Sequence, residues 1–252
     1  MKLTSSVFGA RGRKRATKLG IDPARLPPGQ SPTVKWPVLT VGPTPDVDVA
    51  RWSLSFYGEV EEPYALRWDE LQALPQVQQV SDLHCVTRWS RFDTALTGVR
   101  VGELLERARP HANATHALIH AYGGYSTNLP LEALRAADAL IVHQADGAPL
   151  APAHGGPARL VVPSRYLWKS AKWVQSIELL DHDEPGFWER NGYHNDGDPW
   201  TEQRTHEDPV ALRALRRRAR GKGTGASVHV QHRLATHLAV EEGLQHAVRL
   251  AP

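Results

Sequence analysis

Seven prolines fall between Pro23 and Pro45, in the stretch DPARLPPGQSPTVKWPVLTVGPTP. Each fixes its own backbone and lacks the amide hydrogen that a helix or an inner strand requires. No regular helix can run through this stretch, so it must lie extended across a surface that the rest of the chain builds.

The core has to come from the residues beyond Pro45. RWSLSFYGEV places Trp52, Leu54 and Phe56 on one face, the period of a half-buried strand. RWDELQAL predicts a short helix and VQQVSDLHC a strand. GVRVGELLERAR predicts a helix with Val101, Leu104, Leu105 and Ala108 on its apolar face. THALIHAY is a strand running into GGYSTNLP, expected as a loop because its paired glycines accept unusual backbone angles. LEALRAA is helical, ALIVHQADGAPL is a strand entering an Asp146-Gly147 turn, and ARLVVP and KWVQSIELL are further strands. The helices are too few and irregular for repeated crossovers, and neither GxGxxG nor GxxxxGK[ST] opens one. The expected class is α+β, with strand-rich mixed sheets and short helices, and not a doubly wound nucleotide-binding fold.

With 252 residues and 41% hydrophobic, the chain can bury one large core or two small ones. No stretch approaches the roughly 20 apolar residues of a membrane span. The leading MKLTSSVFGARGRKRATKLG carries charge without an apolar run behind it. A cytoplasmic protein is expected. The single cysteine, Cys85, cannot form an internal disulfide, which leaves a core thiol, a nucleophile or a metal ligand.

The net charge of +3 hides an asymmetry. Residues 1–30 hold seven Lys/Arg against one acid and residues 205–252 hold eight against four, so residues 31–204 carry −7. The expected organisation is a basic extension over 1–30, one domain over 31–204 and a basic tail over 205–252. Within the tail, VQHRLATHLAVEEGLQHAVRL has a helical apolar stripe. LRRRARGKG at 215–223 reads as a solvated helix face or tail, so nucleic acid is not expected as a partner.

Five blocks carry a more specific signal. HCVTRWS, YGGYSTNLPL, HGGPARLVVP, WKSAKWVQSIELLD and DEPGFWERNGYHNDGDPW succeed one another within residues 36–204. Together they resemble the molybdopterin-binding domain of the sulfite oxidase family, in particular its short bacterial branch. The resemblance implies the sulfite oxidase-type fold, a molybdenum-molybdopterin cofactor, and Cys85 as the thiolate ligand of molybdenum. A soft thiolate suits a high-valent metal that already carries the pterin dithiolene sulfurs.

The resemblance further implies that His154, Arg159, Ser170 and Lys172 hold the cofactor, whose terminal phosphate needs converging charge and donors. Ser126, Thr127 and Asn128 are further expected contacts. Tyr125 aligns with a family tyrosine facing the metal's oxo group, where a phenol can donate a hydrogen bond; read alone, it is equally a core-edge tyrosine. Arg88, three residues after the thiol, either brings positive charge to an anionic substrate or braces its own loop. Lys169 stands where the family has a substrate arginine, and it supplies charge without the bidentate fork.

The expected activity is that of a mononuclear molybdenum oxidoreductase moving an oxygen atom to or from a small sulfur- or nitrogen-containing substrate. Sulfite, a dianion, is expected to be handled weakly. The sequence has no CxxCH haem motif, so electrons are expected to pass through a separate redox protein, a cytochrome or a flavin or iron–sulfur reductase. The rival readings are a methionine sulfoxide-type reductase and a non-catalytic anion-binding module.

Overall fold

The structure is a computed structural model that describes residues 3–205. The expected tail helix lies outside the described residues. In chain order the elements are α1 (Leu3–Lys18), β1 (Ser31–Pro32), β2 (Ser53–Gly58), β3 (Tyr64–Arg67), α2 (Trp68–Ala73), β4 (Val77–His84), β5 (Trp89–Arg100), α3 (Val101–Ala108), β6 (His116–Ala121), β7 (Ser126–Pro130), α4 (Leu131–Arg135), β8 (Leu140–Ala145), β9 (Ala148–Pro149), β10 (Arg159–Val161), β11 (Val174–Leu180) and α5 (Phe187–Arg190).

Two mixed sheets form. One runs β1-β5-β8-β10, with β4 on the free side of β5 and β9 on β8; the other runs β3-β2-β11-β6-β7. In the second sheet β11 pairs parallel with β2 and antiparallel with β6, setting Ile177 between Phe56 and Ile119. That row, with Trp52, Leu54, Leu104, Leu105 and Ile141, belongs to one apolar core. Residues Val101, Leu104, Leu105 and Ala108 of α3 are all buried, as the helical spacing requires. The α+β class holds.

Two segments differ from the expected pattern. Gly123 and Gly124 make the turn, but Ser126–Pro130 continues as β7, antiparallel to β6, with Ser126, Thr127, Asn128 and Leu129 all buried. Polar side chains buried with polar partners break the alternation by which half-buried strands are read. The twelve-residue β5 also has no clean sequence signature, because charged Arg91 and Asp93 interrupt it and Asp93 has a positive φ of 52°.

Part of the basic N-terminal segment packs onto the sheet that carries the cysteine. Ala16 and Leu26 are buried, and β1 pairs with the start of β5. Arg25 donates to Asp82 at 2.6 and 3.0 Å and to Asp93 at 2.6 Å.

Candidate active site

Cys85 directly succeeds β4, in a tight connection to β5. Its amide donates to Trp89 O (2.9 Å), while Arg88 N (3.0 Å) and the buried Gln30 Nε2 (3.0 Å) donate to its carbonyl. Arg88 turns the chain at φ 73°. Its guanidinium points outward, half exposed, 3.9 Å from Glu202. It does not line the cavity beside the thiol. The sulfur accepts from Thr87 Oγ1 at 3.1 Å. Burial pushes the thiol pKa up, opposed by the Thr87 hydrogen bond and by the charges of Arg204 and Lys172.

The thiol opens on a cavity of about 530 Å³, within the usual range of cofactor sites, roughly 300–1,000 Å³. Five of the eight tryptophans line it: Trp36, Trp89, Trp168, Trp173 and Trp188. The proline-rich strap contributes Pro37, Leu39, Thr40 and Val41, so its extended path serves as a cavity wall.

Two cations line the same cavity, Arg159 buried and Lys172 part-buried. Arg159 donates to Leu160 O (3.4 Å), His154 O (3.0 Å) and Ser170 O (2.7 Å). Lys172 Nζ donates to Leu39 O (2.9 Å) and Ala153 O (2.7 Å). Burial lowers Arg159 to about 10; burial and the neighbouring Arg159 lower Lys172 to about 7. His154 stacks on Trp36 with centroids 4.4 Å apart, and its buried Nδ1 has no partner. Burial, with Lys172, Arg159 and Arg91 around it, lowers His154 to about 4. Gly155, at φ 105°, makes room here, since a Cβ would fall 3.0–3.1 Å from Arg159 and Lys172.

The remaining expected residues divide. Ser170 lines the cavity, its hydroxyl accepting from Val162 N at 3.0 Å. Tyr125 is in the wall, and its hydroxyl donates to Trp168 O at 2.5 Å. Burial, reinforced by Glu189, holds that phenol well above 10. Lys169, expected at the substrate, is instead wholly buried, paired with Glu189 at 2.7 Å and bonded to Asn128, and it does not line the cavity. Thr127 bonds Glu189, and Asn128 bonds Lys169 and Asp183, so these too are placed behind the wall. Ser126 faces a second, open cleft of about 450 Å³ with Gly123, Gly124 and Arg190. Thr127 reads as a ligand contact in sequence because the buried acid it serves lies 62 residues further on.

Sequence reasoning missed Gln30, Tyr193, Glu189 and Arg204. Tyr193 lines the cavity, and Arg204 donates to Val86 O at 2.5 Å with its guanidinium over the Tyr166 ring. The abundance of tryptophan was the one available signal.

The cavity's features agree with one kind of guest. A buried thiol and two cations without a carboxylate, with an unpartnered imidazole nitrogen beside the cavity, suit an anionic group that ends in a thiophilic metal. Among the described residues no cluster of three or more His, Cys, Asp or Glu could hold a metal by itself. The chain matches the oxidoreductase molybdopterin binding domain over residues 41–188. It belongs to that family.

This sulfite oxidase-like molybdopterin oxidoreductase is 44% identical over 181 residues to the uncharacterized oxidoreductase YuiH of Bacillus subtilis, covering 71% of this chain and 91% of that protein. It is 30% identical over 157 residues to the protein-methionine-sulfoxide reductase catalytic subunit MsrP of Gluconobacter oxydans, covering 55% of this chain and 50% of that one. Thus the chain spans half the length of that subunit. In fold it resembles the sulfane dehydrogenase SoxCD of Paracoccus pantotrophus, with TM-score 0.52 and 20% identity over 59% of this chain and 42% of that chain. Among the described residues no helix is long and apolar enough to cross a membrane.

Proposed function

We propose that this oxidoreductase is a mononuclear molybdenum enzyme catalysing two-electron oxygen-atom transfer, with an uncharged sulfoxide or N-oxide as its substrate class. Cys85 would ligate the metal, and Arg159, Lys172, His154 and Ser170 would hold the pterin and its phosphate. When bound, the cofactor supplies a metal centre able to give or take two electrons.

One observation carries the substrate reading. Among the described residues, the only cations lining the cavity are Arg159 and Lys172, and the cofactor phosphate would engage both. Expelling water from a sulfite dianion without further cations is very costly. Lys169, the residue expected to supply that charge, is already neutralised by Glu189. The aromatic wall instead suits a neutral group. It also excludes water, which strengthens every electrostatic contact inside.

The reductive direction is supported by the names of two relatives, MsrP and a putative protein-methionine-sulfoxide reductase subunit of Azospira oryzae, the latter 28% identical over 148 residues. Breaking the sulfur–oxygen bond consumes two electrons and two protons and yields a sulfide and water. Tyr125, kept protonated by burial, would be the phenol that holds a proton at this wall. The electrons would come from a separate redox protein.

The test is steady-state kinetics with dithionite-reduced benzyl viologen as donor and methyl p-tolyl sulfoxide or trimethylamine N-oxide as acceptor, beside sulfite oxidation with ferricyanide. Sulfoxide or N-oxide turnover with weak sulfite use is expected. Sulfite kcat/KM near or above about 10⁶ M⁻¹s⁻¹ would overturn the substrate class.

A further inference from the structure

Glu189 is the only buried carboxylate among the described residues. One of its oxygens, Oε1, accepts from Lys169 Nζ (2.7 Å), Trp168 Nε1 (2.9 Å) and Thr127 Oγ1 (3.1 Å). It thereby ties α5 to β7 and to the short turn Leu167–Lys169. The packing around the acid is close: a Cβ at Gly186 would fall 2.4 Å from Thr127 Cα and 2.8 Å from Glu189 Oε2.

Neither Glu189 nor Lys169 lines the cavity, but Trp168 does. The Trp168 ring stacks on Tyr166 (5.3 Å) and meets Tyr193 edge-on (5.0 Å). Its carbonyl accepts the Tyr125 hydroxyl at 2.5 Å. A single carboxylate therefore holds the wall residue on which Tyr125, one of the cavity's two phenols, rests.

A fully buried ion pair is a poor source of stability, because desolvating two charges roughly cancels their attraction, and apolar replacements are often neutral. What the pair does supply is direction. Three donors, two from the Leu167–Lys169 turn and one from β7, can converge on one oxygen only in a narrow geometry.

We infer that Glu189 is a positioning residue: from behind the wall it fixes the Trp168 indole and, through the Trp168 carbonyl, the Tyr125 phenol. The inference rests on reading the Cys85 cavity as the substrate site.

Two double variants of the holoenzyme test it. Lys169→Met with Glu189→Gln and Lys169→Met with Glu189→Leu remove the same two charges, but only the first keeps a carbonyl oxygen for Trp168 and Thr127. The readouts are melting temperature, sulfoxide kinetics, and the ¹⁹F NMR line of Trp168 in 5-fluorotryptophan-labelled protein, assigned with Trp168→Phe. The Gln variant should keep the wild-type line and a near wild-type kcat. The Leu variant should melt at a similar temperature, yet show a shifted or split line and a kcat lower on the order of 10- to 100-fold, as small misplacements cause. Its KM should stay within about threefold, the mark of a lost transition-state contact.

A wild-type line and kcat in the Leu variant would overturn the inference. So would an equal, large fall in melting temperature in both doubles, which would make the pair a stabilising device. If the Leu variant does not fold, Thr127→Val removes one of the three donors without changing shape and should move the same line. Should the wild type reduce no sulfoxide, the substrate reading fails, while the Trp168 line still decides the positioning role.

Discussion

Lys172, part-buried, and Arg159, buried, face one cavity as neighbouring cations, and every hydrogen bond they make there is to a main-chain carbonyl. Burial and the Arg159 charge bring Lys172 from 10.5 to about 7. Between these values the unfolded chain binds the proton more fully than the folded one, so stability rises with pH across that window. The urea midpoint of cofactor-free protein is expected to rise from pH 7 to 8.5 and to lose that rise in Lys172→Met. Once a phosphate pairs with the ammonium, the rise should flatten. A pH-independent midpoint in the cofactor-free wild type would contradict the role given to Lys172.

The same two cations should govern cofactor retention. Arg159→Ala with Lys172→Ala leaves the phosphate without its charge partners, a loss on the order of 2–5 kcal/mol. Pterin and molybdenum per mole of purified protein should both fall sharply. Full loading of the double variant would place the phosphate elsewhere.

His84 sets an acid limit. It is 4% exposed, its Nδ1 lies 2.8 Å from Ser90 Oγ, and burial lowers it from 6.5 to about 4. Its folded-state pKa is depressed, so its contribution is complete above pH 6.5 and is lost as pH falls toward 4, on the order of 3 kcal/mol. Denaturant unfolding at pH 7 and pH 4.5 should show a smaller acid loss for His84→Gln than for the wild type. An equal loss in both would assign acid sensitivity to other groups.

Gln30 connects the N-terminal segment to the site. Gln30→Leu removes the amide donor on the Cys85 carbonyl and should cost about 1–3 kcal/mol, read as a lower denaturant midpoint. Deleting residues 1–30 removes this contact together with the Arg25 pairs and the buried Ala16 and Leu26, and should cost more. Unchanged stability after that deletion would make the segment an appendage.

Much of the fold was legible because its strands and α3 obey the simple periods: Leu54 and Phe56 point inward at spacing two, and Leu104, Leu105 and Ala108 at helical spacing. β7 was not, since Thr127 and Asn128 are buried by partners supplied from α5 and the loop before it, far along the chain. At the site, Cys85, Arg159, Ser170, Lys172 and Tyr125 do converge on one cavity, and His154 lies beside it. Lys169 misled because its place in the chain matches a substrate arginine of the family it resembles. The side-chain direction that sends it to Glu189 is a tertiary fact. Lys169→Arg would therefore overfill a buried pair and should not improve sulfite oxidation, which kinetics on sulfite can check.

The most direct measurement is molybdenum K-edge X-ray absorption on purified wild type and Cys85→Ser, paired with metal analysis. Cys85→Ser should fold and retain pterin, because on the proposed reading Arg159 and Lys172 would hold the phosphate, but it should not turn over. Wild type should contain near-stoichiometric molybdenum with three sulfur ligands, two from the dithiolene and one from Cys85, falling to two in Cys85→Ser. The same sulfur count in both proteins, or wild type free of molybdenum when produced by a cell that makes the cofactor, would contradict the assignment of Cys85 as the metal ligand.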